Sequence, residues 1–117
     1  MPKAILVVQT NPTEPEREEE FNQWYTGTHL PDVLTVAGYT AAQRYRLVEG
    51  VDLLEGLEPP RQRYLAIYEL DTDDLEQAAK DLRETVFGGD MAISDALDLG
   101  SVAVNFYVPI SERVTAE

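Results

Sequence analysis

The segment Lys3–Gln9 (KAILVVQ) decides the fold, because it is an almost unbroken run of aliphatic residues. Short apolar runs that are rich in β-branched residues are typical of strands buried on both faces. Two later segments, Arg63–Leu70 (RYLAIYEL) and Ser101–Val108 (SVAVNFYV), have the same character. A fourth strand is predicted over Tyr39–Val48, directly after Gly38.

The strand over Tyr39–Val48 differs from the other three because it carries polar residues on both of its faces. Alternation along a strand assigns side chains to two faces, so we expect Tyr39 and Tyr45 on one face and Arg44 on the other. The next segment, Glu49–Gln62, contains two glycines and two prolines. It is predicted to be a loop.

Two helices are predicted between the strands. The first is predicted from about Glu14 to Thr26. The prediction rests on an i, i+3, i+4, i+7 spacing typical of one helix face, given by Phe21, Trp24, Tyr25 and Thr28. We expect Gly27 and Pro31 to end this helix. The second helix is predicted to begin near Asp73 and to stop at Gly88, which is followed by another glycine.

The predicted order of elements is β-α-β-β-α-β within a single domain over residues 1–117. Two split βαβ units of this kind form an α+β, ferredoxin-like protomer, with an antiparallel four-stranded sheet and both helices on one face. Three of the strands are apolar on both sides, and a bare apolar sheet face is unfavourable in water. We therefore expect a homodimer that packs sheet against sheet.

Composition excludes several classes of protein. The chain has 117 residues, no cysteine and a formal net charge of −13. Without cysteine there is no disulfide framework, thiolate catalysis or thiolate metal site. A surface this acidic repels nucleic acids and anionic membranes, so neither is an expected partner. No apolar run has the length of a membrane span or the form of a signal peptide, and we expect a cytoplasmic protein.

His29 is the strongest candidate for a catalytic group, because it is the one histidine in the sequence. A lone histidine cannot form a multi-histidine metal site, so no metal is predicted. Histidine titrates near neutral pH and suits acid–base catalysis, and Asp32 lies three residues on, where its carboxylate could orient the ring. The alternative is a structural role, in which His29 donates to a backbone carbonyl and fixes the turn.

Aromatic and polar side chains form a second group of candidates. Six tyrosines are more than core packing requires, since each buried hydroxyl needs a hydrogen-bond partner. They would line a pocket for a flat, oxygenated, hydrophobic molecule, although packing is the ordinary role of such residues. The candidate pocket residues are Trp24, Tyr25, Tyr39, Tyr45, Tyr64 and Tyr68. Arg44 could bind an anionic group or pair with a carboxylate, and the amide of Asn105 could bind ligand or backbone.

Several cofactor and nucleophile signatures are missing from the sequence. There is no glycine-rich dinucleotide fingerprint after a strand, no phosphate-binding P-loop and no nucleophile elbow. Nucleotide-dependent chemistry and triad hydrolysis are therefore disfavoured, and no cofactor is predicted.

The residues Trp24-Tyr25, His29-Leu30-Pro31-Asp32, Gly38-Tyr39, Ala42 and Arg44-Tyr45 together resemble a known family. They are similar to the first half of proteins in the dimeric α+β barrel superfamily, and most of all to its EthD-like branch. With the order of elements, the resemblance covers about residues 3–110. It implies a ferredoxin-like protomer that dimerises through its sheets into a barrel, with a pocket between sheet and helices.

The same resemblance bears on activity. Members include monooxygenases without cofactors, polyketide cyclases, lactone isomerases and haem-degrading enzymes, and in several relatives the motif histidine, matched here by His29, faces the pocket. The residue pattern of the haem-degrading members is not evident, and this chain lacks the second histidine that some relatives use. Two functions are therefore expected: a cofactor-independent enzyme acting on a hydrophobic oxygenated ring, or a non-catalytic dimer that binds such a ligand.

Overall fold

Four strands form one antiparallel sheet in the computed structural model, which describes residues 2–117. Their bounds are β1, Ala4–Thr10; β2, Tyr39–Arg46; β3, Tyr64–Leu70; and β4, Ala103–Tyr107. The spatial order is β2-β3-β1-β4, and every neighbouring pair is antiparallel. The predicted α+β class and ferredoxin-like topology are confirmed.

The first helical region is longer than the sequence predicts. It has four parts: a 3-10 turn at Pro15–Arg17, α1 at Glu18–Trp24, a π-helical turn at Tyr25–His29, and α2 at Leu30–Val33. The predicted stop at Gly27 and Pro31 is wrong. Gly27 lies inside the π turn, and Pro31 lies in the first turn of α2, which continues directly from that turn.

The second crossover helix, α3, spans Leu75–Phe87 and is bounded by two local signals. The carboxylate of Asp74 accepts a hydrogen bond of 3.0 Å from the backbone N–H of Gln77, which caps the first turn. Gly88 ends the helix, and Gly89 follows with a φ of 89°, a left-handed conformation that favours glycine. The predicted stop at this glycine pair is confirmed.

The core lies between one face of the sheet and the helices. Every second residue of β3 is buried, and these residues pack with α1 and α3 in one cluster. The largest fully buried side chains belong to it: Leu6, Phe21, Tyr25, Val33, Tyr68 and Leu70. We call this side of the sheet the helix face and the opposite side the open face.

A bulge in β2 changes the predicted assignment of its side chains. The register shifts between Tyr39 and Ala41, so that Tyr39 pairs with Leu70 while Arg44 pairs with Ala66. Both partners point to the helix face, which places Tyr39 and Arg44 on the same side. The prediction that Tyr39 shares a face with Tyr45 is therefore wrong.

The open face is apolar at its centre and has no helix over it. Ile5 and Val7 of β1 and Leu65 and Ile67 of β3 are only half-buried there. The irregular segment between β2 and β3 is also exposed, as predicted for a loop, and it carries several uncovered aliphatic side chains: Val51, Leu53, Leu54 and Leu57.

Within residues 2–117, every helix falls short of the length and apolar character required to cross a bilayer.

Candidate functional site

The π turn fixes His29 against Trp24. The N–H of Leu30 bonds to the carbonyl of Tyr25, five residues back, as a π turn requires. In a regular α-helix, residues five apart point about 140° away from each other. The wider turn stacks the His29 and Trp24 rings instead, with centroids 4.9 Å apart and planes 27° apart. Tyr25 meets the same imidazole edge-on at 4.9 Å.

Two nitrogen atoms in this stack are buried without a partner. They are Trp24 Nε1 and His29 Nδ1, and among residues 2–117 no other buried side-chain nitrogen or oxygen lacks a hydrogen bond. An unsatisfied buried polar group typically costs about 1–3 kcal/mol. The expected structural role, in which His29 bonds to a backbone carbonyl, is not observed at Nδ1.

The environment keeps the His29 imidazole neutral. Burial lowers its pKa from 6.5 to about 4, and the nearby Arg44 cation adds to this effect, while the negative charge of Asp32 opposes it. The Asp32 side chain makes no hydrogen bond to His29 in the described part of the chain; its backbone carbonyl accepts from the Thr35 hydroxyl at 2.6 Å. Asp32 thus acts on the ring through its charge.

Arg44 is enclosed by aromatic rings below the π turn. Its guanidinium carbon lies 4.4 Å from the Tyr25 ring centroid and 5.2–5.3 Å from those of Tyr64 and Phe21. Cation–π contacts of this kind are favourable when the cation is partly desolvated. The hydroxyls of Tyr25 and Tyr68 lie 3.4 Å apart beside it, and burial raises the pKa of both phenols, so both stay protonated.

The hydrogen-bond partners of Arg44 are neutral. Its guanidinium donates to Thr26 Oγ1 and to Asn22 Oδ1, each at 3.0 Å, and it forms no ion pair with any carboxylate of residues 2–117. Asn22 also donates to the Tyr64 hydroxyl at 3.1 Å, and that hydroxyl donates to Glu18 at 2.5 Å. Sequence reasoning did not identify Asn22 or Thr26 as site residues. Their i, i+4 spacing can be read from the sequence, but the sequence does not show that both meet Arg44 of β2.

Three other candidate residues lie apart from this cluster. The Tyr39 hydroxyl donates to the carbonyl of Ala78 at 2.9 Å, which ties β2 to α3. Tyr45 is 45% exposed on the open face, where its hydroxyl bonds to Gln43. Asn105 pairs with Val7 and is exposed on the same face. The structure therefore places Trp24 and Tyr25 against His29, with Arg44 next to Tyr25. Tyr68 is linked to this group through Tyr25 and Tyr64 through Arg44, while Tyr39, Tyr45 and Asn105 lie apart from it.

Two cavities open elsewhere on the surface. One cavity, of about 290 Å³, lies where β1 begins and β4 ends, and its walls are almost entirely apolar. The other, of about 300 Å³, lies where β2 ends and β3 begins, beside the first turn of α1. Neither is lined by His29. Residues 2–117 contain no group of three acidic or histidine side chains placed to hold a metal ion.

Comparison with known proteins places this geometry in a known fold. No family model and no curated protein matches the sequence. A haem-degrading protein from Mycobacterium tuberculosis, MhuD, solved with two haems in its active site, superposes with a TM-score of 0.62 at 11% identity, covering 95% of this chain and 99% of that one. A dimeric ferredoxin-like protein from an uncultured marine organism superposes with a TM-score of 0.58 at 14% identity. The match covers 96% of this chain and 98% of that one.

An EthD-like protein from Ralstonia eutropha gives a TM-score of 0.56 at 16% identity, and the match covers 97% of each chain. These matches span nearly the whole length on both sides, so they concern the complete arrangement of strands and helices. The chain therefore shares the ferredoxin-like fold of these solved structures, among them an EthD-like protein.

Proposed function

We propose that the chain is a small enzyme that works without a cofactor on a hydrophobic, oxygenated ring compound, with His29 as its acid–base group. The observation that carries the proposal is the pair of unpartnered nitrogens, Trp24 Nε1 and His29 Nδ1, in one ring stack. Both nitrogens are buried, so a ligand oxygen reaches them only if neighbouring side chains move; it could then accept from the indole N–H or bond to the imidazole. π turns also recur at functional sites.

The surroundings of His29 define the kind of molecule that fits. The rings of Trp24 and Tyr25 are flat and apolar, and the hydroxyls of Tyr25 and Tyr68, buried in the free protein, could each bond to a ring oxygen that entered beside them. Arg44 supplies a positive charge with no carboxylate partner, which stabilises an enolate or phenolate that forms nearby. A flat oxygenated ring could contact the apolar rings, bond to the tyrosine hydroxyls and be stabilised by the charge of Arg44.

In the proposed reaction the neutral imidazole removes a proton from a ring carbon or hydroxyl and returns it at another position. No electrons leave the substrate, so an isomerisation of this kind needs no further reactant. The same proton transfer begins cyclisation, dehydration, and the activation of a ring for attack on oxygen. Asp32 would favour the imidazolium that forms in between, since its charge opposes the lowering of the His29 pKa.

A non-catalytic dimer that binds such a ligand is the second candidate. It is favoured by one specific observation: a pKa of about 4 makes His29 a weak base in the free protein. The fold does not distinguish the two candidates, because one fold hosts many functions.

We also propose that the chain acts as a homodimer, joined through the apolar open face, whether it is an enzyme or a binding protein.

Hydrogen–deuterium exchange separates the two candidates. Naphthoresorcinol is a flat hydroxylated ring with an exchangeable ring C–H, so it serves as the probe in D₂O, with its exchange in buffer alone as the reference rate. Binding is followed by quenching of Trp24, the one tryptophan in the sequence, and exchange by mass spectrometry of the probe. The enzyme proposal predicts binding and accelerated exchange, with the acceleration falling by about 10²–10⁴-fold in His29→Gln.

The matched control is Tyr45→Phe, which removes an exposed hydroxyl from the open face and should exchange like the wild type. Binding with no acceleration of exchange would favour the non-catalytic candidate. Exchange that is equally fast in His29→Gln would remove His29 from the mechanism. No quenching of Trp24 by this probe or by juglone would contradict a ring-binding site beside it.

A further inference from the structure

We propose a second binding site, for a small organic carboxylate, in the cavity where β2 ends and β3 begins. The cavity has a volume of about 300 Å³ and is lined by Glu18, Arg46, Leu47, Val48, Glu49 and Arg63. His29 does not line it, so this inference does not depend on the proposed function.

Backbone pairing holds the two arginines at fixed positions. Arg46 pairs with Tyr64 in the β2–β3 ladder, and the N–H of Leu47 donates to the carbonyl of Arg63 at 2.7 Å. The two side chains therefore start from adjacent points of one rigid ladder. Guanidinium groups on rigid elements bind carboxylates well, because their planar donors match the two carboxylate oxygens.

The donors of these arginines are largely free. Arg46 forms no ion pair within residues 2–117, and Arg63 meets Glu18 through a single contact of 3.3 Å. Glu18 is already engaged by the shorter hydrogen bond from the Tyr64 hydroxyl, at 2.5 Å. Each guanidinium carries five N–H groups, so donors remain for a ligand beside the two lining carboxylates.

Overall charge makes this arrangement notable. The chain carries only nine lysines and arginines against 22 acidic residues, and two of the arginines line this one cavity, where they balance the charges of Glu18 and Glu49. Leu47 and Val48 add aliphatic surface to the same walls. The combination of a cationic pair and an aliphatic wall fits a carboxylate that carries an apolar body, such as an aryl or short alkyl acid.

Benzoate is the test ligand, and benzamide is its neutral counterpart of nearly equal shape. Titration into the ¹⁵N-labelled protein should shift the backbone amide signals at residues 46–49 and 63, with a dissociation constant on the order of 1 mM. Benzamide should shift them little. Arg46→Gln and Arg63→Gln should each weaken benzoate binding by at least ~10-fold. Arg83→Gln on α3 removes one exposed charge elsewhere and should leave the binding unchanged.

Glu18→Gln gives a result of opposite sign. It keeps an acceptor for the Tyr64 hydroxyl and removes the carboxylate that competes for Arg63, so benzoate should bind roughly 3-fold more tightly. Equal shifts from benzoate and benzamide, or equal weakening in Arg83→Gln, would overturn the inference. His29→Gln should bind benzoate like the wild type, so failure here is distinguishable from failure of the proposed enzyme.

Discussion

The indole of Trp24 and the imidazole of His29 lie stacked with centroids 4.9 Å apart, although the residues are five apart in the sequence. The π turn at Tyr25–His29 brings them to the same side of the helix. This one irregular turn places the single tryptophan against the single histidine and buries a nitrogen of each. Trp24 is therefore an internal probe of the protonation state of His29.

Trp24 fluorescence should titrate with His29. An imidazolium in contact with an indole quenches its emission more than a neutral imidazole does, so emission should fall as the pH is lowered. The midpoint should lie near pH 4 and not at 6.5, the ordinary pKa of histidine. The measurement is steady-state fluorescence against pH in the folded range, with His29→Gln as the control that shows no such step.

Arg44 should influence that midpoint. Its cation lowers the pKa of His29, so Arg44→Met should move the fluorescence midpoint to higher pH. A midpoint that stays in place would show that the Arg44 cation does not contribute to the lowered pKa of His29.

Stability should depend on pH through His29. Its pKa is lower in the folded chain, at about 4, than the value of 6.5 that applies when it is unfolded. Between these values the unfolded chain binds more protons, so the free energy of unfolding rises with pH and is lost as the pH falls. The effect amounts to roughly 2–3 kcal/mol over this window.

Urea unfolding at about pH 7 and about pH 5 checks this, because most carboxylates titrate below that range. The decisive quantity is the pH-dependent difference between wild type and His29→Gln. A wild type that loses no more stability than the variant on acidification would contradict the lowered pKa.

Tyr39 should matter for stability and not for the His29 site. Its hydroxyl donates to the carbonyl of Ala78, so Tyr39→Phe leaves that carbonyl without this partner and should lower the free energy of unfolding by about 1 kcal/mol. Arg83→Gln, at an exposed position of α3, should change it by less than about 0.5 kcal/mol. Chemical denaturation measures both, and a weaker naphthoresorcinol affinity in Tyr39→Phe would place Tyr39 in the binding site after all.

The open face should close a homodimer. Light scattering at micromolar concentration should give about twice the chain mass of 13.1 kDa. Ile67→Lys puts a charge at the centre of this face and should shift the protein to monomer, since an interface of ~2,000 Å² cannot bury an unpaired ammonium cheaply. Val48→Lys, an equal change outside the sheet, should remain dimeric. A well-folded wild-type monomer would contradict the proposal.

The strands and their order could be predicted because burial on both faces leaves an unbroken apolar run, as in Lys3–Gln9. The π turn could not be predicted. The residue pattern of Tyr25–His29 looks the same for a π-helical turn as for an α-helix that ends at Gly27. The bulge after Tyr39 was hidden for a related reason: one extra residue reverses the faces of a strand without changing its composition.

The site was only partly predictable. The sequence shows Trp24, Tyr25 and His29 close together along the chain, but the predicted helix ended before His29. It also left open whether Arg44 pairs with a carboxylate or binds an anionic group. The partners are Thr26 and Asn22, and the acidic residues of this chain lie elsewhere. A long-range contact between a strand and a helix depends on register, which the residue pattern does not supply.

The π turn at Tyr25–His29 also has a consequence for comparing this chain with others. A π turn is an α-helix that has accommodated one additional residue, so everything after it is rotated by about 100° relative to an uninterrupted helix. A homologue with a regular helix here would align only with a single-residue gap. Removing one residue at Gly27 would restore a regular α-helix in which the histidine follows Trp24 by four residues, a spacing that also places two side chains on one face. The π turn therefore lets the chain hold one extra residue without separating the indole from the imidazole.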